Sequence, residues 1–465
     1  MAVEARLLWT PWPFRAGFCI TDDCDATTLD SLRAVYDFLR SVGLRTTRTV
    51  WAFEPEEPCG IPAAPPSILR GVTLADPALL AYHRELKRDG FEICLHGASA
   101  GNNRRDRTIA ALDLIDREFG GTEIWICHAK NADNPYWEHR VAPYRLLQTA
   151  LRLYSRHRCS GEDQNSPYYW GDVCRERIRH VRLFRTRNPD TLCENPSMPY
   201  FESSKPLVRG WFSATKRSFR DCTTPHALGR LKQSNGLTVL YQYLHRYHDP
   251  ETGKVEPGFR ADAERLAADT GIWQATVSTV MARLRALQGI FVLWRGSRAW
   301  LVNTNQEPVT GVQVLLPDRC DCRAPRGAAT RYGRVLRVHS LASDSVLPLE
   351  FEVPVRFLGP RCARVDAAGR ASFDFGHGCM HANVGRSRWV LPGGACVGPN
   401  RSLLLFNPGL EDIRPMSCAG SSELLRLFLG QMLIVLDEHL SKGRSLRTER
   451  FLGAKTIRLE DHAAW

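Results

Sequence analysis

The sequence predicts an α/β protein, an N-terminal (β/α) barrel followed by a β-rich region. Three observations lead there. The first half alternates short apolar runs with amphipathic helical patterns. From residue 291 onward, short β-like runs separated by glycine and proline take over. The 465 residues exceed one ordinary domain, whereas a barrel takes about 250 residues alone.

Taken in order, Ala16 to Thr21 reads as the first strand. Leu29 to Val42 sets Leu32, Val35, Tyr36 and Leu39 on one helical face, and Gly43 stops that helix. Thr47 to Ala52, β-branched and aromatic, is the second strand. Pro77 opens a helix that ends near Asp89-Gly90, and Glu92 to Leu95 is the third strand. Arg107 to Phe119 is a helix closed by Gly120-Gly121, and Glu123 to Cys127 is the fourth strand. Tyr144 to Tyr154 reads as helix, and Val181 to Phe184, Arg209 to Phe212 and Leu237 to Leu244 read as strands. Helical patterns at Phe259 to Asp269 and Thr276 to Leu287 close the barrel near residue 290. Beyond it come Phe291 to Trp294, Ala299 to Asn303, Val312 to Leu316, Val335 to Val338, Leu347 to Phe357 and Ser402 to Phe406, all β-like. The expected division is a barrel over 1–290, a β-rich accessory domain over 291–412 and a helical segment over 413–465, carrying a helix from Leu424 to Leu440.

Composition is that of an ordinary globular chain, 43% hydrophobic and 24% charged. The formal net charge of +12 favours acidic partners. Because the arginines are spread rather than clustered, a solvated basic surface accounts for it as well, and nucleic acid is not the expected partner. Met1 to Phe14 lacks the basic start, apolar run and small-residue cleavage site of a signal peptide. Leu427 to Leu436 is too short to cross a bilayer. Fifteen cysteines without an export signal read as reduced thiols. The expectation is a cytoplasmic protein with no membrane span; assembly into a homo-oligomer stays open.

In a barrel of parallel strands, reactive side chains gather at the C-terminal strand ends. The first strand runs into Asp22-Asp23-Cys24-Asp25, the third into His96-Gly97, and the fourth into His128-Ala129-Lys130-Asn131. Adjacent acids repel each other and call for a cation or a shared proton. A divalent metal supplies the cation; one acid then binds it while its neighbour stays free as a general base. Imidazoles would complete a zinc site with an open position. The plainer reading makes Asp22, Asp23 or Asp25 a cap for the helix starting near Thr28, and each histidine a hydrogen-bonded loop residue. The polar run after His128, with Asn131, Asn134 and Trp137, and the block holding Trp170, Asp172 and Tyr200 carry groups that stack on and hydrogen-bond to sugars. Aromatic core packing explains the second block equally well.

Phe18 to Asp25 with Leu29 to Val42 and Thr46 to Trp51, Gly90 to Gly97, and Val239 to His245 followed by Leu266 to Leu284 together resemble the NodB-like polysaccharide deacetylases of the glycoside hydrolase/deacetylase superfamily. The resemblance spans roughly Arg15 to Leu287. It implies metal-dependent hydrolysis of an N-acetyl or similar acyl group on a carbohydrate or sugar derivative. It also implies a divalent ion, zinc by preference, with Asp22 as the base, Asp23 as a metal ligand and His245 as the general acid; His248 competes for that last role. One departure stands out. The family sets two metal-binding histidines four residues apart, but here Ala100 takes the second place, so the third ligand falls to His128.

Other readings remain. A barrel that binds carbohydrate without turning it over fits the altered histidine pair. A glycosidase would need a second acid across the cleft, for which Glu194 or Asp172 could serve. Leu266 to Leu284 followed by Phe291 to Val302 also has the outline of a winged helix-turn-helix, a DNA-binding shape.

Overall fold

A computed structural model of the chain describes residues 2–58, 72–135 and 159–365, except 197, 200–206, 209, 319 and 360. It also describes positions 146, 149 and 150 and the backbone of four short strands, Arg370–Asp374, Cys379–Asn383, Ala395–Val397 and Leu403–Leu405. The expected helix at Leu424 to Leu440 and most of that at Tyr144 to Tyr154 lie outside the described residues.

The N-terminal part is a closed barrel. Its strands are β2 (Ala16–Asp22), β3 (Thr47–Val50), β4 (Glu92–Leu95), β5 (Ile124–Trp125), β6 (His180–Thr186), β7 (Trp211–Thr215) and β8 (Leu237–Gln242), which follow β1 (Val3–Leu8). From β2 to β8 each strand pairs in parallel with the next, and β8 returns to β2 over Gly17↔Leu237 to Asp22↔Gln242. The helices between them are α1 (Leu29–Ser41), α2 (Pro77–Arg88), α3 (Arg105–Phe119), α4 (Gly171–Arg177), α5 (Thr191–Glu194), α6 (Phe219–Thr223) and α7 (Pro225–Ser234). After β8 come the short hairpin β9 (His248–Asp249) and β10 (Lys254–Val255), then α8 (Pro257–Ala268), β11 (Ile272–Gln274) and α9 (Val277–Gln288).

Local chemistry starts α1 without help from the acids. Thr28 caps it and exchanges hydrogen bonds with Ser31 in a capping box, an arrangement worth about 1 kcal/mol. Leu32, Val35, Tyr36 and Leu39 are buried on its inner face, each contributing roughly 1.5–3 kcal/mol for an apolar side chain of that size.

Strand parity divides the core in two, because successive side chains point to opposite faces. On β2, Ala16, Phe18 and Ile20 face outward and pack with Leu32 and Val35 of α1. Cys19 faces inward and packs with Phe212, Ala214 and Val239 from the far strands. The same alternation holds on β4, where Ile93 and Leu95 are outward and Cys94 inward, and around β5, where Trp125 is outward and Ile124 and Ile126 inward.

The segment with a helix-turn-helix outline packs on the barrel. Between α8 and α9, β11 pairs in parallel with the first half of β2, Ile272↔Ala16 to Gln274↔Phe18. α9 buries Val277, Val280, Met281, Leu284 and Leu287.

The β-rich region holds two five-stranded sheets. Its strands are β12 (Ile290–Arg295), β13 (Arg298–Asn303), β14 (Val309–Leu315), β15 (Cys322–Arg323), β16 (Ala329–Tyr332), β17 (Val335–Leu341), β18 (Ser345–Phe351), β19 (Val355–Leu358) and β20 (Cys362–Arg364). One sheet runs β16-β17-β14-β1-β19, so the chain's first strand lies between two late ones. The other runs β15-β18-β13-β12-β20. Both sheets share one apolar cluster with the floor of the barrel, including Val312, Leu301, Leu349 and Phe357. Among the described residues, no helix is long and apolar enough to cross a membrane.

Candidate metal centre

The inward parity of the strands assembles the site. His96 follows inward Cys94, His128 follows inward Ile126, and Arg182 follows outward Val181. Asp23 continues the inward side of β2 beyond Cys19. Its backbone N–H still donates to Gln242 O at 3.0 Å, so the ladder reaches that residue.

Three groups bring their ligand atoms within 4.8 Å of one another: Asp25, His96 and His128. Asp25 Oδ2 lies 3.5 Å from His96 Nε2, and Asp25 Oδ1 lies 3.2 Å from His128 Nε2. Each imidazole thus faces a different oxygen of the one carboxylate, and the cluster is close enough for all three residues to hold one ion. The three residues are only 5%, 2% and 3% exposed.

Both imidazoles are locked in the orientation a metal requires. His96 Nδ1 lies 2.8 Å from the Ile126 carbonyl oxygen, which can only accept. His128 Nδ1 meets Asn131 Oδ1 at 3.1 Å. Asn131 is turned that way because its NH2 group donates to Gly101 O at 2.6 Å and to Ser99 O at 3.4 Å. With Nδ1 donating in each ring, Nε2 presents its lone pair to the site. Trp51 backs both rings, at 6.2 Å from His96 and 5.6 Å from His128. Burial by itself would raise Asp25, but the charges and hydrogen bonds of His96 and His128 outweigh it and hold that carboxyl far below its usual range. Burial would lower His128, yet Asp25 and Asn131 reverse this and raise it.

The acid pair separates by face. Asp22 lies on the outward side, with Oδ2 accepting from Tyr36 Oη at 2.9 Å and from Arg48 NH1, and Oδ1 accepting from the Leu244 backbone N–H at 2.7 Å. Asp23 lies inward and receives two parallel hydrogen bonds from Arg182, at 3.0 and 2.8 Å. Its Oδ2 is 3.6 Å from His96 Nε2. Arg182 also lies over the Tyr241 ring at 4.4 Å, and Tyr241 Oη donates to Tyr243 Oη at 2.5 Å. Both guanidiniums are wholly enclosed, a cost that the facing carboxylates overcome, so each is held above its ordinary value.

The expected site residues thus fall into distinct places. His96 and His128 lie together, the third converging group is the Asp25 carboxylate, and Asp23 faces Arg182. Asp25 is the residue sequence reasoning weighed only as a helix cap, a role Thr28 fills. Its signal was parity, since Asp23 and Asp25 are two residues apart. Ala100, at the missing histidine position, packs with Cys24 and Trp51. His245 sits on the 3₁₀ turn Leu244–Tyr247 directly after β8. Burial draws its imidazole below the ordinary value, against the pull of Asp22. His248 lies on β9, paired with Val255.

Of the expected substrate contacts, Asn131 is buried behind His128, and Asn134 donates to the His128 carbonyl at 2.7 Å. Trp170 is fully buried on the outer side of β5, 4.3 Å from Trp125, with Nε1 donating to Asp133 O at 2.5 Å. Asp172 is exposed and paired with both terminal nitrogens of Arg105, at 2.6 and 2.7 Å. Trp137 and Tyr200 lie outside the described residues. The alternative acid Glu194 ends the short α5.

No family model matches the chain, and no curated protein matches it. Among solved structures it is similar to one from Mycobacterium smegmatis described as a candidate polysaccharide deacetylase, at 11% identity over 62% of this chain and 95% of that one, with a TM-score of 0.35. It is also similar to Puue allantoinase, at 10% identity over 59% of this chain and 92% of that one, with a TM-score of 0.36. What the chain does is therefore read from the residues at its own barrel mouth.

Proposed function

We propose that the chain is a metal-dependent hydrolase that removes an N-acetyl or similar acyl group from a carbohydrate or sugar derivative. The observation that carries the reading is the buried cluster of Asp25, His96 and His128, whose ligand atoms lie within 4.8 Å of one another and whose two Nδ1 atoms are held by acceptors. One carboxylate and two imidazoles form a donor set suited to zinc with a position left open. When bound, the ion supplies a Lewis acid for the scissile carbonyl.

The remaining roles follow from which acid lies on the face of the ligand cluster. Asp22, expected as the base, has its oxygens engaged by Tyr36, Arg48 and Leu244 on the outer face. We assign it to positioning, because it ties the end of β2 to the turn that carries His245. Asp23 is the carboxylate of the pair beside the ligand cluster. It would accept a proton from the attacking water, with Arg182 fixing its plane. His245 would donate a proton to the leaving amine. The sugar as acyl carrier rests on the resemblance of Phe18 to Asp25 and Val239 to His245 to the deacetylases.

The test is acetate release from a panel of N-acetylated sugars by the zinc-loaded chain. Release in the wild type, and its loss in His96→Ala and Asp23→Asn variants that keep their fold, is the expected result. A zinc-loaded wild type that frees no acetate from any of them would reject hydrolysis of this bond and favour a barrel that only binds.

A further inference from the structure

A groove of about 390 Å³ lies at the other end of the barrel, where α9, the linker after β1 and the strands β14 and β17 meet. Trp273, on its wall, pairs in register with Gly17 near the start of β2. Asp22 ends the same strand, so the groove and the metal centre are about 16 Å apart along the barrel. Nothing in the proposed hydrolysis uses it.

Its walls combine two chemistries. Trp12 and Trp273 are half-buried, and Trp12 stacks on the exposed Tyr332 ring at 4.3 Å, 24° from parallel. Tyr332 thus covers one face of the Trp12 indole, and Trp12 and Trp273 are the aromatic rings that line the groove. Arg283, Arg337 and His339 line it as well. Among the described residues, no acidic side chain lines the groove.

Arg283 is the unusual member. Its Nε donates to Trp9 O at 3.1 Å, and its terminal nitrogens donate to Thr310 O at 2.6 Å and Gly311 O at 3.0 Å. All three acceptors are neutral, so the guanidinium is held in place and its charge is left unbalanced. Burial without a carboxylate lowers it to about 10. Arginine carries five donors in a fixed fork, and the rest of this fork remains for a ligand. Arg337, on β17, has a buried Nε with no partner among the described residues. A half-buried guanidinium with an unpartnered nitrogen favours an anion beside it.

We propose that this groove binds an anionic sugar, with the ring against the lining indoles Trp12 and Trp273 and a phosphate or carboxylate at Arg283 and Arg337. The apolar face of a pyranose suits an indole plane, and a forked guanidinium suits either anion. A groove of this volume falls within the usual range of small-molecule sites. The site is independent of the hydrolase reading: the groove can fill whether or not the barrel mouth cleaves an amide.

The test is calorimetric binding to the full-length chain of glucose 6-phosphate, glucuronate, glucose and inorganic phosphate. Saturable binding of at least one anionic sugar, at least tenfold tighter than both glucose and inorganic phosphate, is expected. Which anionic sugar binds tells phosphate from carboxylate. Arg337→Ala and Trp12→Ala should each weaken that binding by about tenfold, while Asp25→Asn leaves it unchanged. Arg283 also joins α9 to β14, so its replacement is not relied upon. The proposal is overturned if neither anionic sugar binds, if glucose or phosphate alone binds as well, if Arg337→Ala binds as tightly as wild type, or if Asp25→Asn abolishes binding and so moves it to the barrel mouth.

Discussion

The backbone N–H of Leu244 donates to Asp22 Oδ1 at 2.7 Å, across the seam where β8 closes on β2. A buried carboxylate thus fixes the residue immediately before His245. The same carboxylate carries Arg48, which is almost wholly enclosed. Asp22→Asn is expected to cost about 3–5 kcal/mol in chemical denaturation, because Arg48 is left buried without its counter-charge. Metal content should be retained and kcat should fall more than KM, as the His245 turn loosens. An Asp22→Asn protein with wild-type stability and kcat would remove the positioning role.

Asn131 fixes His128 from behind, and residues in that relation to a ligand change metal affinity by about 10–100-fold when replaced. Asn131→Ala should weaken zinc binding by that factor in competition with a chromophoric chelator. Unchanged affinity would mean that the His128 ring is oriented by something else.

Arg182 meets Asp23 with two parallel hydrogen bonds, a geometry an ammonium cannot reproduce. Arg182→Lys keeps the charge and loses the fork. Turnover is expected to drop by at least about tenfold with metal content unaltered, a change of about 1.4 kcal/mol in barrier. A fully active Arg182→Lys enzyme would show that only charge is needed there.

Acid should destabilise the fold through two histidines remote from the metal centre. Burial is the main cause that lowers both His83 and His180 from 6.5 to about 3. The sign follows from proton counting: between about 6.5 and 3 the unfolded chain binds protons that the folded one refuses, so stability is intact above 6.5 and declines toward 3. Melting temperatures taken from pH 7 down to pH 4 should fall, and His83→Leu should reduce the slope. A variant with the wild-type slope would clear His83 of any part in it.

Gly17 faces inward at the floor of the barrel, where a Cβ would come 2.3 Å from Trp9 Cη2. Trp9 is pinned by its Nε1–H, which donates to Asn235 O at 2.5 Å, so it has little room to retreat. Gly17→Ala is expected to cost about 1–3 kcal/mol by overpacking, read from urea denaturation.

Much of the barrel was legible because parallel, doubly buried strands write themselves as apolar runs and their helices carry ordinary stop signals. Ala16 to Thr21, Glu92 to Leu95 and the helix ended by Gly43 all read true within a residue or so. Strand ends were less legible. Leu237 to Leu244 stops as a strand at Gln242, because the Leu244 N–H turns to the Asp22 carboxylate instead of a neighbouring strand. The pairing of β1 with β14 and β19 joins residues more than three hundred positions apart, and no local pattern announces it. At the site, the two histidines were visible as strand ends. The choice among Asp22, Asp23 and Asp25 was not, because it depends on which face of β2 each side chain takes and on arginines contributed by β3 and β6.

Asp25, and neither member of the adjacent pair, is proposed to complete the ion site with His96 and His128. Metal analysis of the purified wild type, Asp23→Asn and Asp25→Asn proteins tests it directly. Zinc is expected to be bound by the wild type and by Asp23→Asn, and lost from Asp25→Asn. Zinc retained by Asp25→Asn but missing from Asp23→Asn would contradict it.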